Sequence, residues 1–442
     1  MSSEPGSAAS ISGDSAGAGK VVAGHAAAGE AARGVTWLGA PAFWAGAAFV
    51  SGRLVTIVAG LIAWAGWRIP PPTGRWPSSD HTVLIHGVLA RLFDPWVAWD
   101  GLWYTSIAKL GYQSPQSPAF FPAYPYVIRG VALVTRSTLV AGVLVSLVCS
   151  GLAMVLLYRM VAARYDARTA AWTVAFLSLC PTSLFFGVVY GESLFLLLVL
   201  GSLALAERGM WVAACAVGAL AALTRNTGVL VCLPLLFLYA ERRHWTWRQV
   251  RPEWPSDVRL AWLALVPTGL LLYMAFLWSR FGDALAFVAV QRAWARSFAL
   301  PPVTLWHATE QAGHALRMTA THWPLTWSWV GPGGDGQWMY AMVLLPFVAL
   351  VAAVIVLVLA WRRVPAAYNA WTLAVIALPL MSPMRGIALF SFPRFLLMAF
   401  PLFLGAALLT AHRPVVRWTL IVVSVLLLAW LSASFALFSW VS

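Results

Sequence analysis

Charge is what this chain lacks. Asp, Glu, Lys and Arg make up only 10% of its 442 residues, while 61% are hydrophobic; a soluble domain carries about 25% charged residues. A water-soluble fold is thereby excluded, and a multi-span membrane protein is expected. The 15 acidic residues are outnumbered by 29 basic ones, but the arginines stand dispersed at the ends of apolar runs. The formal charge of +14 therefore reads as membrane topology and attraction to anionic lipid, with no nucleic-acid partner. Cysteine is scarce: Cys149, Cys180, Cys215 and Cys232 all lie inside apolar runs without CxxC spacing, which argues against disulfides and zinc. The eight histidines show no HxxxH or HExxH spacing, and His81 and His86 are one residue too far apart to share a helix face as ligands. No metal is expected. A Walker loop and a Rossmann glycine fingerprint are missing too, so no nucleotide or other cofactor is expected.

Tryptophan is abundant instead, with 26 residues, and many should sit at the two membrane interfaces. Residues 1–35 are Ala/Gly/Ser-rich, without the apolar core of a signal peptide, and read as a disordered cytoplasmic tail. Residues 36–442 read as one all-α transmembrane domain. Its apolar runs begin near residue 43 and end near 440, and they predict about eleven spans. Several runs fall short of the ~20 residues a bilayer requires, and Pro181, Pro234 and Pro379 point to tilted, broken or re-entrant helices. With the N-terminus inside, the inner loops hold Arg159, Arg164, Arg168, Arg208, Arg242, Arg243, Arg248, Arg251, Arg259, Arg362, Arg363, Arg413 and Arg417, as the positive-inside rule requires. Two long segments, 68–137 and 282–338, then form outer loops with interfacial helices. The turns around Gly191, Thr227 and 383–392 fall on the same face.

This topology leaves Asp80, Asp94, Asp100, Glu192, Asp283, Glu310 and Asp335 outside. Three of them head polar clusters at span ends: Trp99-Asp100-Gly101, Tyr190-Gly191-Glu192-Ser193 and Phe281-Gly282-Asp283. Carboxylates at a membrane boundary are costly and usually have a partner or a task. Lys109, Arg225 beside Asn226, Arg280, Arg385 and Arg394 supply positive charge on that face. Together they suit one chemistry: a carboxylate deprotonates a hydroxyl while guanidinium groups hold a phosphate leaving group. Structural roles stand beside it. Asp100 could pair with Lys109 or cap its helix, Glu192 could serve the helix macrodipole, and Arg225, Asn226 and Arg394 could anchor the interface. Asp94-Pro95 reads as a turn. Arg53, about ten residues deep in the first span, should face a cavity or a counter-charge.

In these clusters the chain resembles the PIG-V mannosyltransferases. The matching elements keep their order: Trp99-Asp100-Gly101-Leu102-Trp103-Tyr104, Ile107-Ala108, Gly111-Tyr112, Phe120-Phe121-Pro122-Ala123-Tyr124-Pro125, Pro181-Thr182-Ser183, Tyr190-Gly191-Glu192-Ser193-Leu194-Phe195, Arg225-Asn226-Thr227-Gly228 and Gly282-Asp283-Ala284-Leu285-Ala286-Phe287. The likeness runs from about residue 45 to the C-terminus; Asn226-Thr227 and Ala284 depart from the usual pattern. It implies a GT-C-type helical bundle in the cell membrane and inverting transfer of mannose from polyprenyl-phosphate-mannose to a lipid or glycan acceptor on the non-cytoplasmic face. It also implies that Asp100 is the general base. Arg225, Arg394, Arg385 and Lys109 are then the candidates for the donor phosphate. Trp99, Trp103, Tyr104, Tyr112, Tyr190, Glu192, Asn226 and Asp283 are the candidates for sugar and acceptor, although the aromatic ones could equally hold the loop in the interface. A transporter or flippase of a lipid-linked sugar, or a non-catalytic subunit of a glycosylation complex, are the rival classes. The Ala/Arg/Trp-rich composition suggests a bacterium, in which the outer face would be periplasmic.

Overall fold

The computed structural model describes residues 40–66, 92–242, 258–321, 337–437 and 441. The tail 1–35, Asp80, His81 and His86, the inner arginines Arg243, Arg248 and Arg251, and Asp335 lie outside the described residues. Among the described residues the architecture is helical, with two isolated bridges, Arg296 to Met384 and Met384 to Ile387.

In chain order the helices are α1 (Ala40–Gly66), α2 (Asp100–Leu110), α3 (Ala123–Thr135), α4 (Thr138–Arg164), α5 (Ala167–Leu179), α6 (Glu192–Glu207), α7 (Trp211–Thr224) and α8 (Cys232–Arg242). They continue with α9 (Thr268–Phe281), α10 (Pro301–Thr321), α11 (Gln337–Ala360), α12 (Ala366–Leu380), α13 (Phe392–Leu396), α14 (Phe400–Leu409) and α15 (Pro414–Ala436). Local chemistry sets their limits. The Ser137 hydroxyl accepts the Val140 N–H at the start of α4, and Asp166 accepts the Thr169 N–H at 2.8 Å at the start of α5, both ordinary N-caps. Pro181 cannot continue α5, and the chain turns through a 3₁₀ segment, Pro181–Phe186. Most of the expected apolar runs fall on helices among the described residues, with breaks such as the one at Cys180. Five of these are long and apolar enough to cross a membrane: α1, α4, Trp262–Phe281, Val343–Ala360 within α11, and α15. α7, α12 and α14 are apolar but shorter.

These helices leave large apolar side chains outside the core. Trp44, Leu54 and Ile62 on α1, Val348 and Val358 on α11, and Val422 and Leu426 on α15 are all exposed. Contiguous apolar faces of this size suit lipid.

Polar contacts gather at two opposite ends of the bundle. At one end Arg164, closing α4, pairs with Glu207 of α6 at 3.3 Å and Glu241 of α8 at 3.2 Å. Tyr368 of α12 donates to the same Glu207 at 2.6 Å, and Tyr165 donates to the Arg363 carbonyl beyond α11 at 2.6 Å. The loops that the sequence marks as basic and inner thus meet at one end. α6 runs from Glu207 back to Glu192, roughly 22 Å away along the helix axis. There the turns around Gly191, Thr227 and 383–392 meet α2.

Arg53 is buried in α1, where the sequence led us to expect a cavity or a counter-charge. It donates instead to the Ser178 carbonyl at 3.4 Å in the last turn of α5 and sits over the Phe49 ring. A cation is favourable at a helix C-terminus, where a proline has ended the backbone ladder; the same Ser178 carbonyl also accepts the Ser183 hydroxyl at 2.8 Å. Gly52 makes this approach possible, because a Cβ at that position would lie 2.3 Å from the Ser178 oxygen. Replacing Gly52 with Ala should therefore force α1 off α5 and destabilise the protein by roughly 1–3 kcal/mol, seen as an earlier melting transition in detergent. An unchanged transition would show that the helices part without cost.

Candidate active site

The centre of the polar end is Arg394, buried in the short helix α13. Its Nη1 lies 2.7 Å from Asp100 Oδ2, and its Nε lies 3.4 Å from Glu192 Oε1. Arg225 Nη1 reaches the same Glu192 oxygen at 2.6 Å. The result is a chain of four charges, Asp100–Arg394–Glu192–Arg225, drawn from α2, α13, α6 and the end of α7. Desolvated ion pairs of this kind hold only where the geometry is good. The rings of Phe185 and Tyr190 lie 5.6 and 5.3 Å from the Arg394 guanidinium and so help to shield it.

The family-like motifs explain how these side chains are aimed. Trp99 precedes α2 with φ 58° and ψ −117°, a conformation that costs a residue with a side chain about 1–3 kcal/mol. The Tyr190 hydroxyl bridges this turn, accepting the Asp100 N–H at 3.3 Å and donating to the Ala98 carbonyl at 3.4 Å. Gly228 lets the turn Asn226–Val231 fold back on α7, since a Cβ there would lie 2.3 Å from Ala221 backbone atoms. Arg225 is thereby left between α7 and this turn, facing α6. Ser391, also at positive φ, begins α13 by accepting the Arg394 N–H at 3.2 Å.

Asp100 meets Arg394 through Oδ2, and its side chain is 20% exposed. Glu192 Oε2 is buried and meets no donor among the described residues. A buried oxygen of this kind costs on the order of 1–3 kcal/mol and is a natural acceptor for a ligand hydroxyl. The Tyr104 ring packs edge-on against Phe120 and Tyr124. Burial and then the negative charge of Glu192 hold its hydroxyl well above the ordinary tyrosine value, so it remains a neutral group. Trp103 stacks on Phe120 at 5.2 Å, and its buried indole N–H has no acceptor among the described residues.

The other expected residues are placed elsewhere. Lys109 lies at the far end of α2 from Asp100, roughly 13 Å along the axis, and is exposed. Arg385 is exposed, and its backbone N–H donates to the Ala295 carbonyl. Asp283 accepts the Leu285 N–H within its own turn, as Asn226 does that of Thr227. The Tyr112 hydroxyl is engaged by the Phe120 carbonyl at 2.6 Å. Asp94 opens the 3₁₀ turn Asp94–Trp96. Among the described residues no group of three or more His, Cys, Asp or Glu is placed to hold a metal ion.

Two residues were missed by sequence reasoning, Arg296 and Phe395. The Phe395 ring has three guanidinium groups around it, Arg225 at 5.3 Å, Arg394 at 5.4 Å and Arg296 at 5.9 Å from its centroid. Nothing in the motifs marks either residue. The one available signal was the adjacency of Phe395 to Arg394.

The family model described as Mannosyltransferase (PIG-V) matches residues 73–251, which bears out the likeness read from the motifs. This match takes in Asp100, Glu192 and Arg225 and ends before Gly282-Asp283 and Arg394, so it is narrower than the span the motifs suggested. GPI mannosyltransferase 2 of Schizosaccharomyces pombe is 25% identical over 150 residues, 33% of this chain and 32% of that protein. The chain thus aligns with about a third of the length of that relative.

The ion chain makes a stability prediction. Glu192→Gln leaves Arg225 and Arg394 buried with less counter-charge and should destabilise the protein by ~3 kcal/mol or more. Asp100→Asn should cost clearly less, because Arg394 keeps Glu192. Paired melting curves of the two purified variants check this order, and equal midpoints would contradict it.

Proposed function

We propose that the chain is an inverting mannosyltransferase of the GT-C type, taking mannose from polyprenyl-phosphate-mannose and placing it on a hydroxyl of a lipid or glycan acceptor at the outer face of the membrane. The single observation that carries this reading is the meeting of Asp100, Arg394, Glu192 and Arg225 in one buried ion chain where the PIG-V-like motifs converge. The match to the PIG-V mannosyltransferases supports the sugar. Placement of the basic loops at the opposite end supports an outward site and a bundle of about eleven spans, entered by a cytoplasmic N-terminus.

In this mechanism the acceptor hydroxyl hydrogen-bonds to Asp100 Oδ1, the oxygen that Arg394 leaves open. As the hydroxyl oxygen attacks the anomeric carbon, its proton passes to the Asp100 carboxylate. The bond from that carbon to the phosphate oxygen breaks on the opposite face, and the electron pair leaves with the phosphate. Arg225 and Arg394 stabilise the departing charge. A phosphate leaves without needing a proton, so one carboxylate suffices for the chemistry, unlike the paired carboxylates of glycoside hydrolysis. Glu192 holds the two arginines through Oε1 and offers Oε2 to a hydroxyl of sugar or acceptor. Tyr104, Trp103 and Trp99 wall the sugar side, and the surrounding membrane lipid receives the polyprenyl chain.

The test is transfer of radiolabelled mannose from polyprenyl-phosphate-mannose into a new product by membranes containing the chain. Asp100→Asn should lower that transfer by ~10²- to 10⁴-fold with the melting transition retained. Near-wild-type transfer by a folded Asp100→Asn variant would remove Asp100 as the base, and translocation of the donor without a new product would favour a transporter.

A further inference from the structure

The segment after α9 returns to the site by backbone pairing. Ser297 donates to the Pro383 carbonyl, Ala299 to that of Met381, and Arg385 to that of Ala295, at 3.2, 3.2 and 2.9 Å. Ala295 takes up positive φ at this junction. Of the four non-glycine residues with positive φ among the described residues, Trp99, Ala295 and Ser391 each lie within three positions of Asp100, Arg296 or Arg394. Backbone strain of this kind persists where the surrounding structure enforces it, and it gathers at functional sites.

Arg296 is the residue this pairing delivers. Its Nη1 donates to the Ser382 carbonyl at 2.9 Å and its Nη2 to the Phe390 carbonyl at 3.4 Å. These anchors are neutral, so they orient the guanidinium without cancelling its charge. Among the described residues no carboxylate lies within ion-pair distance of it. Burial, and then the positive charge of Arg394, pull its pKa down to about 10, with Asp100 opposing the fall and Arg225 adding to it; it remains a cation at neutral pH in a place that disfavours cations. Around Phe395 the three guanidinium groups of Arg225, Arg296 and Arg394 face the two carboxylates of Asp100 and Glu192. Arg225 and Arg394 are matched by those carboxylates, and Arg296 is the surplus.

We propose that Arg296 is a third phosphate ligand of this site and that it engages the departing phosphate monoester more strongly than the intact donor phosphodiester. The inference rests on the reading of the donor as a polyprenyl-phosphate sugar. The donor phosphodiester carries one negative charge. When the bond to the anomeric carbon breaks, the electron pair stays on the phosphate oxygen, and the monoester carries close to two charges at neutral pH. The charge that develops is about one unit; the intact donor's single charge meets the one positive charge the carboxylates leave unmatched, and the second is offset as Asp100 takes the acceptor proton and gives up its negative charge. Arg225 and Arg394 can answer the developing charge only by loosening an ion pair, whereas Arg296 has none to break. An interaction that strengthens as the leaving group departs acts on turnover more than on donor binding.

Binding separates the two states without an acceptor. Purified wild type, Arg296→Gln and Arg296→Lys in detergent micelles are titrated with undecaprenyl phosphate and with undecaprenyl-phosphate-mannose. Arg296→Gln should lose roughly 10- to 10²-fold in affinity for the monoester and far less for the phosphodiester, and Arg296→Lys should keep most of the difference. On the unaltered protein, the preference for the monoester should grow as pH rises through its second ionisation, at about pH 6. Equal losses for both ligands, or none, or a preference flat with pH, would overturn the assignment. So would a melting transition lost together with both affinities, which marks a loop staple. A wild-type chain that binds neither ligand would overturn the donor reading itself, and this inference with it.

Discussion

One guanidinium group holds the polar end of this protein together. Arg394 reaches Asp100 across 294 residues of sequence and lies against Glu192 at the head of α6. Without it, α2 and α6 would bring two carboxylates into one low-dielectric space with only Arg225 paired to them and Arg296 nearby. Buried like charges of that kind repel strongly and are not tolerated unpaired. The rest of the site follows from this constraint. α13 is short and opens with a strained Ser391 because its first turn has to present Arg394. The Trp99 turn is likewise strained because Asp100 has to face it. Tyr190 serves both, bracing the turn through its hydroxyl and covering the guanidinium with its ring.

Much of this was legible in the sequence, for an identifiable reason. In a chain so poor in charge, every carboxylate and arginine at a span end is expensive, and the inventory of candidates was therefore short. Asp100, Glu192, Arg225 and Arg394 were selected on that ground, and the structure brings these four into contact. The helical runs, and the gathering of one set of arginines at the end opposite the site, were readable from apolar stretches and from the arginines between them. The remaining site candidates depended on tertiary detail that composition does not carry. Lys109 has the right charge, but it lies at the other end of α2. Asp283 and Asn226 have the right chemistry, but each is engaged by a backbone N–H of its own turn. Tyr112 is turned toward the Phe120 carbonyl. Arg296 is the converse case. Its segment carries no motif, and only the pairing of residues 295–299 with 381–385 brings it to Phe395.

The two ends of the bundle handle charge differently. At the basic end the carboxylates are shared out, with Glu207 taking both Arg164 and Tyr368, and the contacts tie four helices to one another. At the other end Glu192 keeps a buried oxygen open and the guanidinium groups outnumber the carboxylates. The first arrangement is closed and suits a scaffold. The second retains unspent hydrogen-bonding capacity in a buried place, and a site that must take up an anion and a hydroxyl needs that capacity.

Arg53 and Gly52 carry a lesson about modularity. Both belong to α1, which precedes the stretch shared with the PIG-V mannosyltransferases, yet they close the end of α5 inside that stretch. Arg394 stands beyond its other limit. The boundaries of detectable kinship are therefore not boundaries of the physical object. A fragment cut to the shared residues would lose the cation that caps α5 and the one that joins the two carboxylates, and it would be no autonomous unit. The candidate site draws on residues inside and outside the matched stretch and belongs to the undivided bundle.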